Sequence, residues 1–277
     1  MKISAIFFLT DILPHKRKLY HKIVKNKIFE GFSIKEAFAR LRKTGVEGVE
    51  LLLPSFAKIV DDDIIEVKNV LTENQMQILS VHQVIRFFTK THIDEIKRLF
   101  HIAKTLEAKI VVLHMSSIGK QVFDKEYVEA IHDLQNKYGI KAGFENRERV
   151  VGGLSKKHGW HGDTFSELMK KNDFYITFDT THLAQTGGDI VKFFNKNKDR
   201  IINIHLSDYR HHFLNTTLRP MRYKHLPLGK GDLPIEKFLK QVKNANYQGL
   251  ITMEIHTDLQ GICESAQIIS AALKGKQ

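Results

Sequence analysis

Short apolar runs, each suited to one buried strand, alternate eight times along this chain with amphipathic segments of helical period. The strand-like runs are residues 3–9 and 48–53, then six that end at His82, His114, Glu145, Asp179, His205 and Glu254. Helical patterning covers residues 33–41, 61–71, 91–106, 124–138, 189–194, 234–242 and 262–273, and a further short helix opens at Thr164. No two strands follow one another directly, so the expected sheet is parallel. Eight such units predict an α/β fold, a closed eight-stranded (β/α)8 TIM barrel occupying residues 1–277 as a single domain. An open doubly wound sheet is the alternative. Its glycine-rich phosphate turn is missing here, because Thr10-Asp11-Ile12-Leu13-Pro14 follows the first strand.

Local signals agree with these boundaries. Ser33 with Glu36 makes a capping box, Gly139 stops the helix before it, and Pro234 sits in a first helical turn where its missing N–H does no harm. The apolar N-terminus is short and interrupted by Asp11, so it reads as the first strand and not as a secretion signal. No stretch approaches the roughly 20 apolar residues of a membrane span, and no membrane partner is expected. The single cysteine, Cys263, falls on the last helix; it excludes an intramolecular disulfide and favours a reducing, cytoplasmic compartment.

The net charge of +12 would concentrate phosphorylated ligands or polyanions near the surface. Most of the basic residues are dispersed along helices, as on a lysine-rich solvated surface. Local clusters at residues 15–18 and 219–225 fall in expected loops, where they could meet an anion.

In a parallel barrel the C-terminal strand ends form one face, the face that carries active sites. Glu145, Asp179, His205 and Glu254 would meet there, one from each of strands five to eight. Three carboxylates and one imidazole suit a hard or borderline divalent cation such as Mn2+, Mg2+, Co2+ or Zn2+. Without one, buried like charges would raise each other's pKa sharply. His82 and His114 end strands three and four and could build a second metal position beside Glu145, richer in imidazole and suited to Zn2+. His182, three residues beyond Asp179, reaches the same cavity as a ligand or, by preference, as a donor to a substrate oxygen. A structural role at the barrel rim competes for His82 and for His114.

The segments Val81-His82-Gln83, Val112-Leu113-His114, Phe144-Glu145-Asn146, Phe178-Asp179-Thr180-Thr181-His182, Asn203-Ile204-His205-Leu206-Ser207-Asp208, residues 225–231 and Met253-Glu254 together resemble the xylose isomerase-like barrel superfamily. That superfamily includes sugar isomerases and epimerases and the endonuclease IV group. In its epimerase-like branch, the resemblance implies one catalytic metal on the four-residue set, with Glu145 and Glu254 also moving protons. In the endonuclease branch it implies three zinc ions, the further ligands matching His82, His114, His182 and an Asp-x-His pair. That pair here is Tyr223-Lys224-His225, so the third site lacks its aspartate.

Two chemistries follow. The leading expectation is metal-dependent isomerisation or epimerisation of a sugar or sugar phosphate through an enediolate, with Glu145 and Glu254 as the acid/base pair. His182, His225, Lys230 and Trp160 would contact substrate, Trp160 from a loop spanning residues 151–162 that could close as a lid. Some epimerases of this type carry an acid and an arginine at the positions of Val151 and His211, so substrate contacts here must differ. The alternative is a zinc-dependent abasic-site endonuclease, with nucleic acid as partner. A ligand-binding barrel without turnover is the third possibility. The substrate and the oligomeric state are not written in these patterns.

Overall fold

The computed structural model describes residues 1–16, 28–53, 59–83, 92–115, 123–147, 162–211 and 224–274. Eight strands close into an all-parallel barrel in sequence order: β1 (Lys2–Phe8), β2 (Gly48–Leu52), β3 (Gln77–His82), β4 (Ile110–His114), β5 (Lys141–Glu145), β6 (Tyr175–Asp179), β7 (Ile201–Leu206) and β8 (Leu250–Met253). The expected (β/α)8 TIM barrel is therefore observed. The helices are α1 (Leu9–Ile12), α2 (Ile34–Lys43), α3 (Asp61–Glu73), α4 (Ile93–Thr105), α5 (Lys125–Tyr138), α6 (Gly162–Lys171), α7 (Thr180–Gln185), α8 (Ile190–Asn197), α9 (Ile235–Asn244) and α10 (Leu259–Lys274). None among the described residues is long and apolar enough to cross a membrane.

Caps set several of the boundaries. Glu36 N–H donates to Ser33 Oγ at 3.2 Å and Ser33 N–H to Glu36 Oε2 at 2.9 Å, the reciprocal pair read from the sequence. Gly139 ends α5 in the left-handed region at φ 64, where a side chain would be strained. Pro234 lies one position earlier than expected: it is the N-cap, and α9 begins at Ile235. Two short helices, α1 and α7, were not anticipated, because four and six residues carry no usable period.

Alternation along the strands divides the core. Outward residues such as Ala5, Phe144, Phe178 and Ile204 pack against the helices, with Phe238 of α9 wedged between Phe178 and Phe194 at ring separations of 6.0 and 5.6 Å. Inward residues near the strand starts, Leu79, Ile110, Val112, Ile202 and Leu250, form a smaller apolar plug at the N-terminal end of the barrel. Above the plug the inside turns polar. Two bulges mark the change: Leu79 is inserted between the pairs Val49↔Ile78 and Glu50↔Ser80, and Ile202 between Ile176↔Ile201 and Thr177↔Asn203.

Candidate metal centre

The register places His114 beside Glu145, and Asp179 beside His205, across neighbouring strands. Glu254 follows the last residue of β8, its N–H donating to Leu206 O at 3.3 Å. Glu145, Asp179, His205 and Glu254 thus converge, each offering a ligand atom within 4.8 Å of the others. His205 Nδ1 lies 2.8 Å from Glu145 Oε1 and 2.7 Å from Glu254 Oε2. The other oxygen of Glu145 faces away from His205, 3.0 Å from His114 Nε2 and 3.9 Å from His82 Nε2. Glu145 is therefore shared between the four-residue set and a second group, His82, His114 and Glu145.

Asp179 has divided duties. Its Oδ1 accepts the N–H of His182 at 2.6 Å and caps α7, which turns His182 back toward the cavity. Asn146 braces the same exit: its side chain donates to Asp179 O at 2.9 Å and accepts from Asp179 N–H at 2.7 Å.

Three histidines are oriented by carbonyls. Nδ1 of His82 donates to Gln83 O at 2.8 Å, that of His182 to Asn146 O at 2.9 Å, and that of His225 to Glu254 O at 3.1 Å. A carbonyl can only accept, so Nδ1 carries a hydrogen in each, and a ring in its neutral form keeps on Nε2 the lone pair that binds a metal or accepts a substrate hydroxyl. His225 adopts φ 48, a left-handed conformation uncommon outside glycine and asparagine, and its Nδ1 lies 4.0 Å from Asp179 Oδ2. Asp179, His182 and His225 make a third group of possible ligands.

Burial is graded across the site. Asp179 and His205 are sealed, whereas the side chains of His114, His182 and Glu254 remain 13–15% exposed, so access is from their side. Asp179 is pushed up to about 8 by burial and by the charges of Glu254 and Glu145. Burial also acts to raise Glu145, but hydrogen bonds with His114 and His205 outweigh it and hold the carboxyl well below its usual range. Glu254 is lowered too, its burial overcome by His225 and His205. His205 is raised well above its ordinary value, since Glu50, Glu254 and Glu145 together outweigh its burial. One imidazole thus serves as counterion to three carboxylates.

A divalent cation fits this set. Asp179 Oδ2 and Glu254 Oε2 are buried and make no hydrogen bond, and His82 Nε2 is in the same condition beside Glu145. Buried polar atoms are otherwise nearly always satisfied.

A family model described as xylose isomerase-like TIM barrel matches residues 38–274. The chain belongs to the xylose isomerase-like TIM barrel family. Within it, the chain is 25% identical over 200 residues to an uncharacterized protein of Methanocaldococcus jannaschii, covering 67% of this chain and 63% of that one. It is 28% identical over 151 residues to an inosose dehydratase of Clostridium beijerinckii, covering 50% of this chain and 51% of the enzyme. The chain therefore spans about half to two thirds of the length of these curated relatives. Solved structures share the fold: a D-tagatose 3-epimerase-like protein has TM-score 0.65 at 18% identity, covering 99% of this chain and 97% of its own. The IolI protein with a bound zinc atom has TM-score 0.66 at 15% identity, covering 99% and 98%.

Lys230 stands apart from the ligand groups. It is exposed, in a turn whose amides at Gly229, Gly231 and Leu233 all donate to the carboxylate of Asp208. Trp160, Val151 and Tyr223 lie outside the described residues, as does nearly all of the expected lid. Glu50 went unread in the sequence. It is fully buried, 2.9 Å from His205 Nε2, and the available signal was a lone acid inside the apolar run Gly48-Val49-Glu50-Leu51-Leu52.

Proposed function

We propose that this chain is a divalent-metal-dependent enzyme that abstracts the proton next to the ketone of a polyhydroxylated carbohydrate, free or phosphorylated, and returns it to isomerise or epimerise the substrate. The observation that carries this reading is the convergence of Glu145, Asp179, His205 and Glu254 at the open end of the barrel, with two of their carboxylate oxygens buried and without hydrogen bonds. These four would hold the cation, Mn2+, Zn2+, Co2+ or Mg2+ by donor type. When bound, it would polarise the ketone and stabilise the negative charge that develops on the substrate oxygen.

Glu145 and Glu254 enter the cavity from β5 and from beyond β8, three strands apart around the barrel. Ionised at neutral pH, each can accept a carbon-bound proton, and the protonated carboxyl can then return it to the neighbouring carbon or to the opposite face. His182, with Nδ1 committed to Asn146 O, presents Nε2 as an acceptor for a substrate hydroxyl. In its protonated form the same nitrogen donates to a substrate oxygen, the role expected from the sequence. The names of the relatives support the reading, since they include inosose dehydratases and a D-tagatose 3-epimerase-like protein.

A second reading is kept for one observation: the groups His82-His114-Glu145 and Asp179-His182-His225 flank the central four. A multinuclear zinc centre of that kind would suit phosphodiester hydrolysis at abasic sites. One experiment separates the two. The chain, loaded in turn with Mn2+, Co2+ and Zn2+, is incubated in D2O with a panel of ketoses, ketose phosphates and inososes, and in parallel with an abasic duplex. Deuterium entering a carbon next to the ketone supports proton abstraction, whereas duplex cleavage with no exchange on any sugar overturns it.

A further inference from the structure

The inside of a (β/α)8 barrel is ordinarily filled by branched apolar side chains. Here the layer beneath the ligand set is a hydrogen-bonded polar chain. Ser4, Glu50, Ser80, Asn203 and Thr252 are each completely buried. Ser4 Oγ lies 2.7 Å from Thr252 Oγ1, which donates to Asn203 Oδ1 at 2.9 Å. Asn203 Nδ2 then donates to Glu50 Oε2 at 2.8 Å, and Ser80 Oγ donates to the same oxygen at 2.6 Å. The other oxygen of Glu50 lies 2.9 Å from Nε2 of His205, a close but bent contact short of a straight hydrogen bond. Ser80 and Asn203 both stand immediately after the bulged residues Leu79 and Ile202. The two irregularities of the barrel therefore aim two donors at one carboxylate oxygen.

We infer that Glu50 is a positioning residue for His205: it fixes the ring and its tautomer so that Nδ1, and not Nε2, is the nitrogen offered to the ligand set. The reasoning is one of donors and acceptors. A carboxylate can only accept, so the nitrogen facing Glu50 keeps its hydrogen; without a cation the other nitrogen also carries one, donated to Glu145 at 2.8 Å, and a cation takes that hydrogen's place. That other nitrogen is Nδ1, which points at Glu145 and Glu254. His82 backs the arrangement, its ring stacked on His205 with centroids 5.4 Å apart. A buried acid behind a ligand histidine is a known means of orienting the ring and raising its basicity.

The clamp makes the inference testable by a substitution of almost unchanged shape. In Glu50→Gln the atom facing Ser80 and Asn203 must be the amide oxygen, because both donate to it. The amide NH2 is then forced toward His205 Nε2, which must become the acceptor, and the hydrogen moves to Nδ1. The double variant Glu50→Gln with Asn203→Asp restores the charge and lets the amide turn over, its NH2 toward the introduced carboxylate and its oxygen toward His205.

Zinc affinity is measured by competition with a chromophoric chelator, and the His205 tautomer by long-range 15N–1H correlation on the zinc-loaded protein and on the zinc-free protein at a pH where the ring is neutral. Glu50→Gln is expected to weaken zinc binding by about 10- to 100-fold and to shift the hydrogen to Nδ1. The double variant is expected to recover both. Should Glu50→Gln fail to fold, Ser80→Ala, which removes one clamp and no charge, gives the second reading: a few-fold weaker binding and a mixed tautomer. Wild-type affinity and tautomer in Glu50→Gln, or in Ser80→Ala where that variant stands in, overturn the inference. The inference rests on the metal reading above, and the two fail differently. Absence of any divalent-ion binding by the wild-type chain sinks that reading, whereas wild-type binding unaltered by the substitutions sinks this one alone.

Discussion

Asp179 Oδ1 accepts the backbone N–H of His182 at 2.6 Å while Asp179 Oδ2 makes no hydrogen bond, so one carboxylate terminates a strand, starts a helix and still faces the cavity. The two roles separate by substitution. Asparagine is as good an N-cap as aspartate, whereas alanine removes the cap at a cost of about 1 kcal/mol. Asp179→Asn is expected to keep or raise the Tm of the EDTA-treated protein at pH 8 and to abolish tight zinc binding; Asp179→Ala is expected to lower both. A tight zinc site surviving in Asp179→Asn would remove Asp179 from the ligand set.

The charges at the site also set how stability varies with pH. Asp179 ionises near 3.8 in an unfolded chain and at about 8 in the fold. Between those values the native state holds a proton the unfolded chain has released, so stability falls as pH rises through the window and levels off above it. His205, raised well above 6.5, contributes stability that is complete below that value and is lost as pH rises. Glu145 and Glu254 are held below 4.5 and act oppositely, losing their contribution as pH falls through the acid range. The EDTA-treated protein should therefore be most stable near about pH 4.5, where the two glutamates ionise in the unfolded chain, and lose Tm toward pH 9. Asp179→Asn should flatten part of that decline. A Tm rising steadily from pH 5 to 9 would contradict the assignment.

The barrel was legible in the sequence because buried parallel strands must be apolar runs and the helices covering them must be amphipathic. The ligand set was legible for a geometric reason: in a barrel all strand exits meet, so acids and histidines that end strands are neighbours without any further information. Glu50 was not legible. Its meaning depends on Ser80 and Asn203, and these reach it only through two bulges that shift the register by one residue. Nor was α7, whose Thr180-Thr181-His182 start is poor in helix formers and begins only because Asp179 caps it.

The turn after β7 depends on one glycine. A Cβ at Gly231 would run into the carboxylate of Asp208 and the carbonyl of Tyr209, the same carboxylate that gathers the amides of Gly229, Gly231 and Leu233. Asp208 also binds the chain beside His225, through paired backbone hydrogen bonds with Leu226 at 2.9 Å. Gly231→Ala is expected to cost about 1–3 kcal/mol in urea unfolding, as for overpacking elsewhere. Wild-type stability in this variant would show that the turn has room the geometry does not suggest.

Phe238 tests the layer between barrel and helices. It is fully buried and edge-on both to Phe194 and to Phe178, which stands just before the Asp179 that caps α7. Phe238→Ala should destabilise the protein by about 3–5 kcal/mol, read from the urea midpoint at constant m. A loss below about 1 kcal/mol would mean that the helices collapse into the space.

Glu145 and Glu254 are both proposed to bind the cation and to move protons, so loss of activity alone cannot separate the roles. Glutamine at either position keeps an oxygen for the metal but cannot take up a proton. Each single variant is expected to retain zinc within about 100-fold while turnover to product falls by about 10²–10⁴. If one glutamate removes the proton and the other returns it, the two variants will differ in kind. The variant lacking the base should lose exchange altogether, whereas the variant lacking only the acid should still exchange the substrate proton with D2O without forming product. Equal loss of exchange and turnover in both variants, with zinc retained, would instead assign both glutamates to the first proton transfer.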